Sequence, residues 1–178
     1  MPNNLSNKLE VILQDEGETI RFAHTLAKQL QAGDVVALSG ELGAGKSVFS
    51  RALMRGLGVK DEALPSPTYA VIQEYEGRTF QGDLCKVAHM DWYRLESIED
   101  VEMLGIRDFF SPPWILMIEW PERAMDIFPE HTCWVSLSYV DDTVEKRQLR
   151  LSAPSLSWLD LEALTLAAHL DRNPRDIT

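Results

Sequence analysis

Gly40-Glu41-Leu42-Gly43-Ala44-Gly45-Lys46-Ser47 has the spacing G-x-x-x-x-G-K-S/T, a pattern suited to holding a polyphosphate. A backbone that wraps phosphate oxygens must turn several N–H groups inward, and glycine permits both the dihedrals and the close approach. A helix starting at the end of such a loop adds unsatisfied amides and the positive end of its dipole. Lys46 completes that anion site, and Ser47 offers a hydroxyl to magnesium. The flanks agree. Val35 to Leu38 is a short apolar run suited to a buried parallel strand, and Val48 to Met54 reads as helix, so the ligand expected here is a nucleoside triphosphate.

Further along lie carboxylates that chemistry on a triphosphate would need. Trp114-Ile115-Leu116-Met117-Ile118 is a continuous apolar run, the profile of a strand buried on both faces, and it ends in Glu119. A carboxylate emerging at the end of such a strand reaches a metal directly or through water. From Lys86 to Tyr93 alternation places Val87, His89 and Asp91 on one face and Ala88, Met90 and Trp92 on the other. Asp91 is a candidate to orient or deprotonate an attacking water, or to anchor a metal-bound one; His89 reads as a packed strand histidine. Ser66 and Thr68, within Leu64-Pro65-Ser66-Pro67-Thr68-Tyr69, form a candidate switch-like loop sensing the terminal phosphate, against the plainer reading of a stiff proline turn.

The elements that must carry these residues can be read from periodicity. Leu9, Val11 and Leu13 alternate as a first strand ending at Asp15. A helix follows with Ile20, Ala23, Leu26, Ala27 and Leu30 on one face, stopping at Gly33. Gly56 and Gly58 mark the exit of the helix after the phosphate loop, Ala70 to Tyr75 is strand-like, and Gly77 is expected to begin a turn. Ser97 with Asp100 predicts a capped helix start, and Pro121 a helix ending before Pro129. Cys133 to Tyr139 and Glu145 to Leu151 predict a hairpin across Asp141-Asp142. A last helix is expected from Trp158 to Leu170, in a tail that begins near residue 154 and frays after Asn173-Pro174.

At 178 residues the expectation is one domain with a real core. Cys85 and Cys133 are far apart and suggest neither a zinc knuckle nor a disulfide framework. No apolar stretch approaches the roughly 20 residues of a membrane span, and Met1-Pro2-Asn3-Asn4 is no signal peptide, so a cytoplasmic location is expected. With 28 acidic and 17 basic residues the net charge is −11, which disfavours direct, salt-dependent binding to nucleic acid. A GTPase is disfavoured because no N-K-x-D follows the loop, and a transporter ATPase because L-S-G-G-Q is absent. A small-molecule kinase and a nucleotide-dependent regulatory binding module are the remaining alternatives to an ATP hydrolase.

Four segments taken together, Gly40 to Ser47, Ser66-Pro67-Thr68-Tyr69, His89-Met90-Asp91-Trp92-Tyr93-Arg94 and Ile118-Glu119-Trp120, resemble the TsaE family of bacterial threonylcarbamoyladenosine tRNA modification. The likeness runs from about Asp15 to Thr143 in family order and spacing. It implies an α/β P-loop NTPase fold with a mixed central sheet flanked by helices and a C-terminal hairpin. It also implies magnesium-dependent ATP hydrolysis in cooperation with the TsaB–TsaD complex, whose members handle the tRNA. Carried over by position, Leu42, Gly43, Ala44, Gly45, Lys46 and Ser47 match the nucleotide loop, with Ser47 and Glu119 as magnesium ligands. Asp91 matches the carboxylate associated with hydrolysis, and Glu16 and Thr143 resemble positions flanking the nucleotide.

Overall fold

Residues 7–60, 72–140 and 143–169 are described by the computed structural model. Runs with no polar residue go to the middle of the sheet: β2 (Val35–Gly40) and β5 (Trp114–Glu119) pair in parallel, and Val35 to Leu38 and Ile115 to Ile118 are fully buried. On one side β5 pairs in parallel with β4 (Leu84–Asp91), which pairs antiparallel with β3 (Ile72–Arg78). On the other, β2 pairs in parallel with β6 (Thr132–Val140), β6 turns back into β7 (Thr143–Ser152), and β7 pairs antiparallel with β1 (Lys8–Leu13). The result is a seven-stranded mixed sheet in the order β1-β7-β6-β2-β5-β4-β3.

Helices α1 (Glu16–Ala27), α2 (Lys46–Gly56) and α4 (Leu161–Ala167) cover one face, where Phe22, Leu26, Phe49, Leu53 and Leu164 bury against Leu13, Leu38, Met117 and Leu149. The short α3 (Ile98–Glu102) and the irregular chain to Phe128 cover the β4 and β5 part of the other face, burying Trp92, Met90 and Ile118. Caps fix the helix starts. Asp15 accepts from the Glu18 amide at 2.8 Å at the head of α1, and Ser97 and Asp100 form the expected reciprocal capping box. Among the described residues no helix is long and apolar enough to cross a membrane, and Cys85 and Cys133 are buried free thiols. Burial, with a smaller push from Asp34, raises the Cys133 thiol to about 12.

Several elements differ from the sequence reading for identifiable reasons. Gly77 lies inside β3 rather than in a turn: a Cβ there would meet Val87 Cγ2 at 2.9 Å and Leu57 O at 3.0 Å, so the glycine serves close approach. The turn comes later, closed by Thr79 N donating to Asp83 O at 2.9 Å. Pro121 begins no α-helix; two 3-10 turns, Pro121–Arg123 and Met125–Ile127, are separated by Ala124 at φ −153°. Helix α1 ends at Ala27, and α4 is shorter than expected, with Asp160 accepting from Ala163 N at 2.9 Å to set its start. Leu156 and Leu159 before it are buried in the main core.

Candidate functional site

The loop joining β2 to α2 takes its shape from glycine geometry. Gly43 and Gly45 sit at φ 79° and 103°, where side chains are strained, and Ala44 N donates to Glu41 O at 3.1 Å to close a turn between them. Gly40 leaves β2 at φ 145° against Leu137 O, where a Cβ would collide with that carbonyl. Helix α2 starts directly after Gly45 with no side-chain cap, so its first amides are open to an anion. Lys46 Nζ folds back over the loop, donating to Gly40 O at 2.5 Å and Glu41 O at 2.9 Å, with the Trp120 ring centroid 4.0 Å away. Burial pushes the Lys46 ammonium below its ordinary pKa, and the charges of Glu119, Glu122 and Asp91 offset part of that.

Strand register delivers the carboxylates. Asp91 at the end of β4 stands opposite Glu119 at the end of β5, and Glu119 stands opposite Leu38 of β2, two residues before the loop. These are carboxyl ends of parallel strands, the edge where α/β sheets hold ligands. The next residue, Trp120, has the left-handed backbone φ 61°, ψ 51°, and stacks on Tyr93 at 4.9 Å between centroids. Holding a tryptophan there costs on the order of 1–3 kcal/mol, and it places the ring over Lys46.

Glu119 is 2% exposed. Its Oε1 lies 2.9 Å from His89 Nε2 and 2.9 Å from Ser50 Oγ. Ser50 Oγ is equally 2.9 Å from Lys46 O, and its single proton favours the carboxylate, the stronger acceptor. Burial opposes ionisation of Glu119, but the His89 hydrogen bond and charge, the Ser50 bond and the Lys46 charge together hold its carboxyl below the usual range. Asp91 moves the other way. Burial raises its pKa despite a 2.9 Å bond from Tyr93 N, and the neighbouring Glu119 charge adds to the rise.

Two of the cavities bordering the loop bear on its chemistry. One of about 340 Å³ is lined by Gly43, Gly45, Lys46, Ser47, Asp91 and Glu119 with Trp120 and Tyr93, so it unites the expected phosphate and metal residues. The other, about 420 Å³, lies between the loop, α1 and the β6–β7 hairpin, and Asp15, Glu16, Thr19, Glu145 and Arg147 line it. Glu16 is therefore brought to the loop. Thr143 is not in that lining; its Oγ1 donates to Val140 O at 2.5 Å while Val144 and Glu145 face the cavity. Leu42 is exposed at the loop tip, and Ser66 and Thr68 lie outside the described residues.

Sequence reasoning missed four contributors. Ser50 carries the i+4 spacing from Lys46 that stacks the two along α2, but nothing local names its partner. His89, read as a packed histidine, is indeed 1% exposed, yet it bonds the carboxylate at the heart of the site. Arg147 and Tyr139 reach the loop from the hairpin, a pairing that only the sheet order reveals.

The family described as Threonylcarbamoyl adenosine biosynthesis protein TsaE matches residues 13–149. The chain belongs to the TsaE family. It is similar to the tRNA threonylcarbamoyladenosine biosynthesis protein TsaE of Haemophilus influenzae, 36% identical over 135 residues, covering 73% of this chain and 82% of that one. The Aquifex aeolicus protein of the same description is 38% identical over 115 residues, 64% of this chain and 77% of its own length. Among solved structures, YdiB of Bacillus subtilis superimposes with a TM-score of 0.70 at 23% identity, covering 94% of this chain and 99% of that one. The seven-stranded mixed sheet with flanking helices is thus a fold that this TsaE family member has in common with YdiB.

Proposed function

We propose that this chain is a magnesium-dependent ATPase of the P-loop fold, required for threonylcarbamoyladenosine modification of tRNA next to the anticodon and acting with the TsaB–TsaD complex in the cytoplasm. The observation that carries the reading is the single cavity in which Lys46, Ser47, Asp91 and Glu119 meet. Among the described residues no three His, Cys, Asp or Glu side chains converge as a metal site of their own. That suits magnesium, which is held by one or two carboxylates together with substrate phosphates, and Ser47 and Glu119 would hold it here. When bound, the ion would neutralise charge on the terminal phosphates.

The chain's own groups do the rest. Lys46 leaves the Gly40 and Glu41 carbonyls for the terminal phosphates, regaining partners for an ammonium that burial disfavours. His89 and Ser50 hold Glu119 ionised and fixed in orientation. Asp91, which lines the same cavity as Lys46 and Ser47, orients the attacking water and accepts its proton. Glu16 flanks the nucleoside, with Thr143 at the hairpin end next to the cavity-lining Val144 and Glu145, and Ser66 and Thr68 act as a switch-like loop responding to the terminal phosphate. The tRNA is handled through the partners, in keeping with a net charge of −11.

Reconstituted threonylcarbamoyl transfer with TsaB–TsaD should require both this chain and ATP. Asp91→Asn should bind ATP within about threefold of wild type while hydrolysis in a single turnover falls roughly a hundredfold, the size expected for loss of a positioned base. Normal hydrolysis by that variant would remove Asp91 from the mechanism; modification proceeding without the chain would remove the proposed function.

A further inference from the structure

The hairpin β6–β7 packs beside the phosphate loop and sends two side chains to its outer surface. Arg147 Nε donates to Ala44 O at 3.0 Å, Nη2 reaches Gly43 O at 3.4 Å, and Tyr139 Oη donates to Leu42 O at 3.3 Å. Three successive loop carbonyls therefore point to the hairpin, the Ala44 bond being the shortest and strongest. The guanidinium carbon lies 4.4 Å from the Tyr139 ring centroid, so each side chain holds the other in place.

Peptide geometry gives these outward carbonyls a consequence on the inner side. In a planar trans peptide the C=O of one residue and the N–H of the next point in opposite directions. Drawing Leu42 O and Ala44 O outward turns the N–H groups of Gly43 and Gly45 away from the hairpin. Among the described residues neither amide donates to a backbone carbonyl, whereas Ala44 N is spent on Glu41 O. Gly43 and Gly45 both border the cavity that holds Lys46 and Ser47.

We propose that Arg147 and Tyr139 are positioning residues that hold the loop in its anion-binding shape, fixing the Gly43 and Gly45 amides before the phosphates arrive. The inference rests on the phosphate-binding reading of the loop. Direct contact of Arg147 with the nucleotide is the competing role, since Arg147 lines the cavity on the α1 side. Its donors argue against that. Beyond the loop carbonyls, Nη1 donates to Val144 O at 2.7 Å and Lys146 O at 2.9 Å, which leaves little of the guanidinium for a ligand. Gly43 belongs to the same device: a Cβ there would strike Tyr139 Oη at 2.7 Å, so the close seat of the tyrosine needs this glycine.

The test uses the full chain labelled with ¹⁵N-glycine and titrated with inorganic tripolyphosphate, which lacks base and ribose. Wild type should bind it in a Lys46-dependent way, with the Gly43 and Gly45 amide resonances among the most shifted. Arg147→Met combined with Tyr139→Phe should weaken tripolyphosphate binding roughly tenfold, because lost pre-organisation must be supplied during binding. The resonances of Gly43 and Gly45 should already differ from wild type before ligand is added, with the thermal midpoint near that of wild type. Arg147→Lys, which keeps the charge but not the fork, should lose most of the same affinity. Full rescue by lysine would assign the effect to charge alone and overturn the proposal, as would unchanged tripolyphosphate affinity beside weakened ATP affinity. Wild-type binding that ignores Lys46→Ala would instead overturn the phosphate-loop reading itself, and the positioning role with it.

Discussion

Replacing Lys46 with alanine should lower ATP affinity by about a hundredfold or more, since charge-assisted bonds of about 1.5–3 kcal/mol each are lost at more than one phosphate oxygen. The fold should tolerate the change. Lys46 is 5% exposed, and burial already depresses its pKa, so removing the ammonium relieves a desolvation cost while giving up bonds to Gly40 O and Glu41 O. Lys46→Met, which keeps most of the stem beside Trp120, should behave like the alanine variant in binding and like wild type in melting. Calorimetric titration with ATP checks the first, thermal unfolding the second. Near-unchanged affinity would remove the phosphate-binding role of the loop.

Glu119→Gln should cut single-turnover hydrolysis roughly a hundredfold or more, while ATP binding in the absence of magnesium stays within about threefold. Glutamine has the size of the native side chain, and its amide oxygen still accepts from His89 and Ser50, so the variant should fold. Alanine at this position is a different experiment. It strands His89 Nε2, on a ring 1% exposed, and leaves a cavity, while Ser50 turns its proton to Lys46 O, and the cost should be about 2–4 kcal/mol of stability. Separating the two variants matters, because loss of activity in Glu119→Ala alone would not distinguish a misfolded strand end from a missing metal ligand.

Continuous apolar runs made β2 and β5 legible, because a strand buried on both faces has no polar alternation to hide it. With those strands placed, Gly40 to Ser47 and Glu119 fell at the same sheet edge, and alternation along β4 put His89 and Asp91 on one face. Glycine misled in both directions. Gly43 and Gly45 lie in the loop that their spacing predicts, at positive φ, but Gly77, expected to begin a turn, lies inside β3 because Val87 and Leu57 leave no room for a Cβ. Pro121 suited a helix start, yet the left-handed Trp120 before it and the break at Ala124 allow only 3-10 turns. A strained backbone at Trp120 leaves no trace in composition, since its compensation comes from Tyr93 and Lys46, distant in sequence. The same distance hid Ser50 from Glu119, 69 positions apart, and Arg147 from Ala44, 103 apart.

Phosphate release from ATP by the purified chain, measured with and without magnesium and with and without the TsaB–TsaD pair, is the most direct test of the proposed activity. Magnesium-dependent release, slow for the chain alone, faster with the pair and lost in Lys46→Ala, is the predicted result. Release that never rises above background in any of these mixtures, or that persists at the wild-type rate in Lys46→Ala, would contradict it.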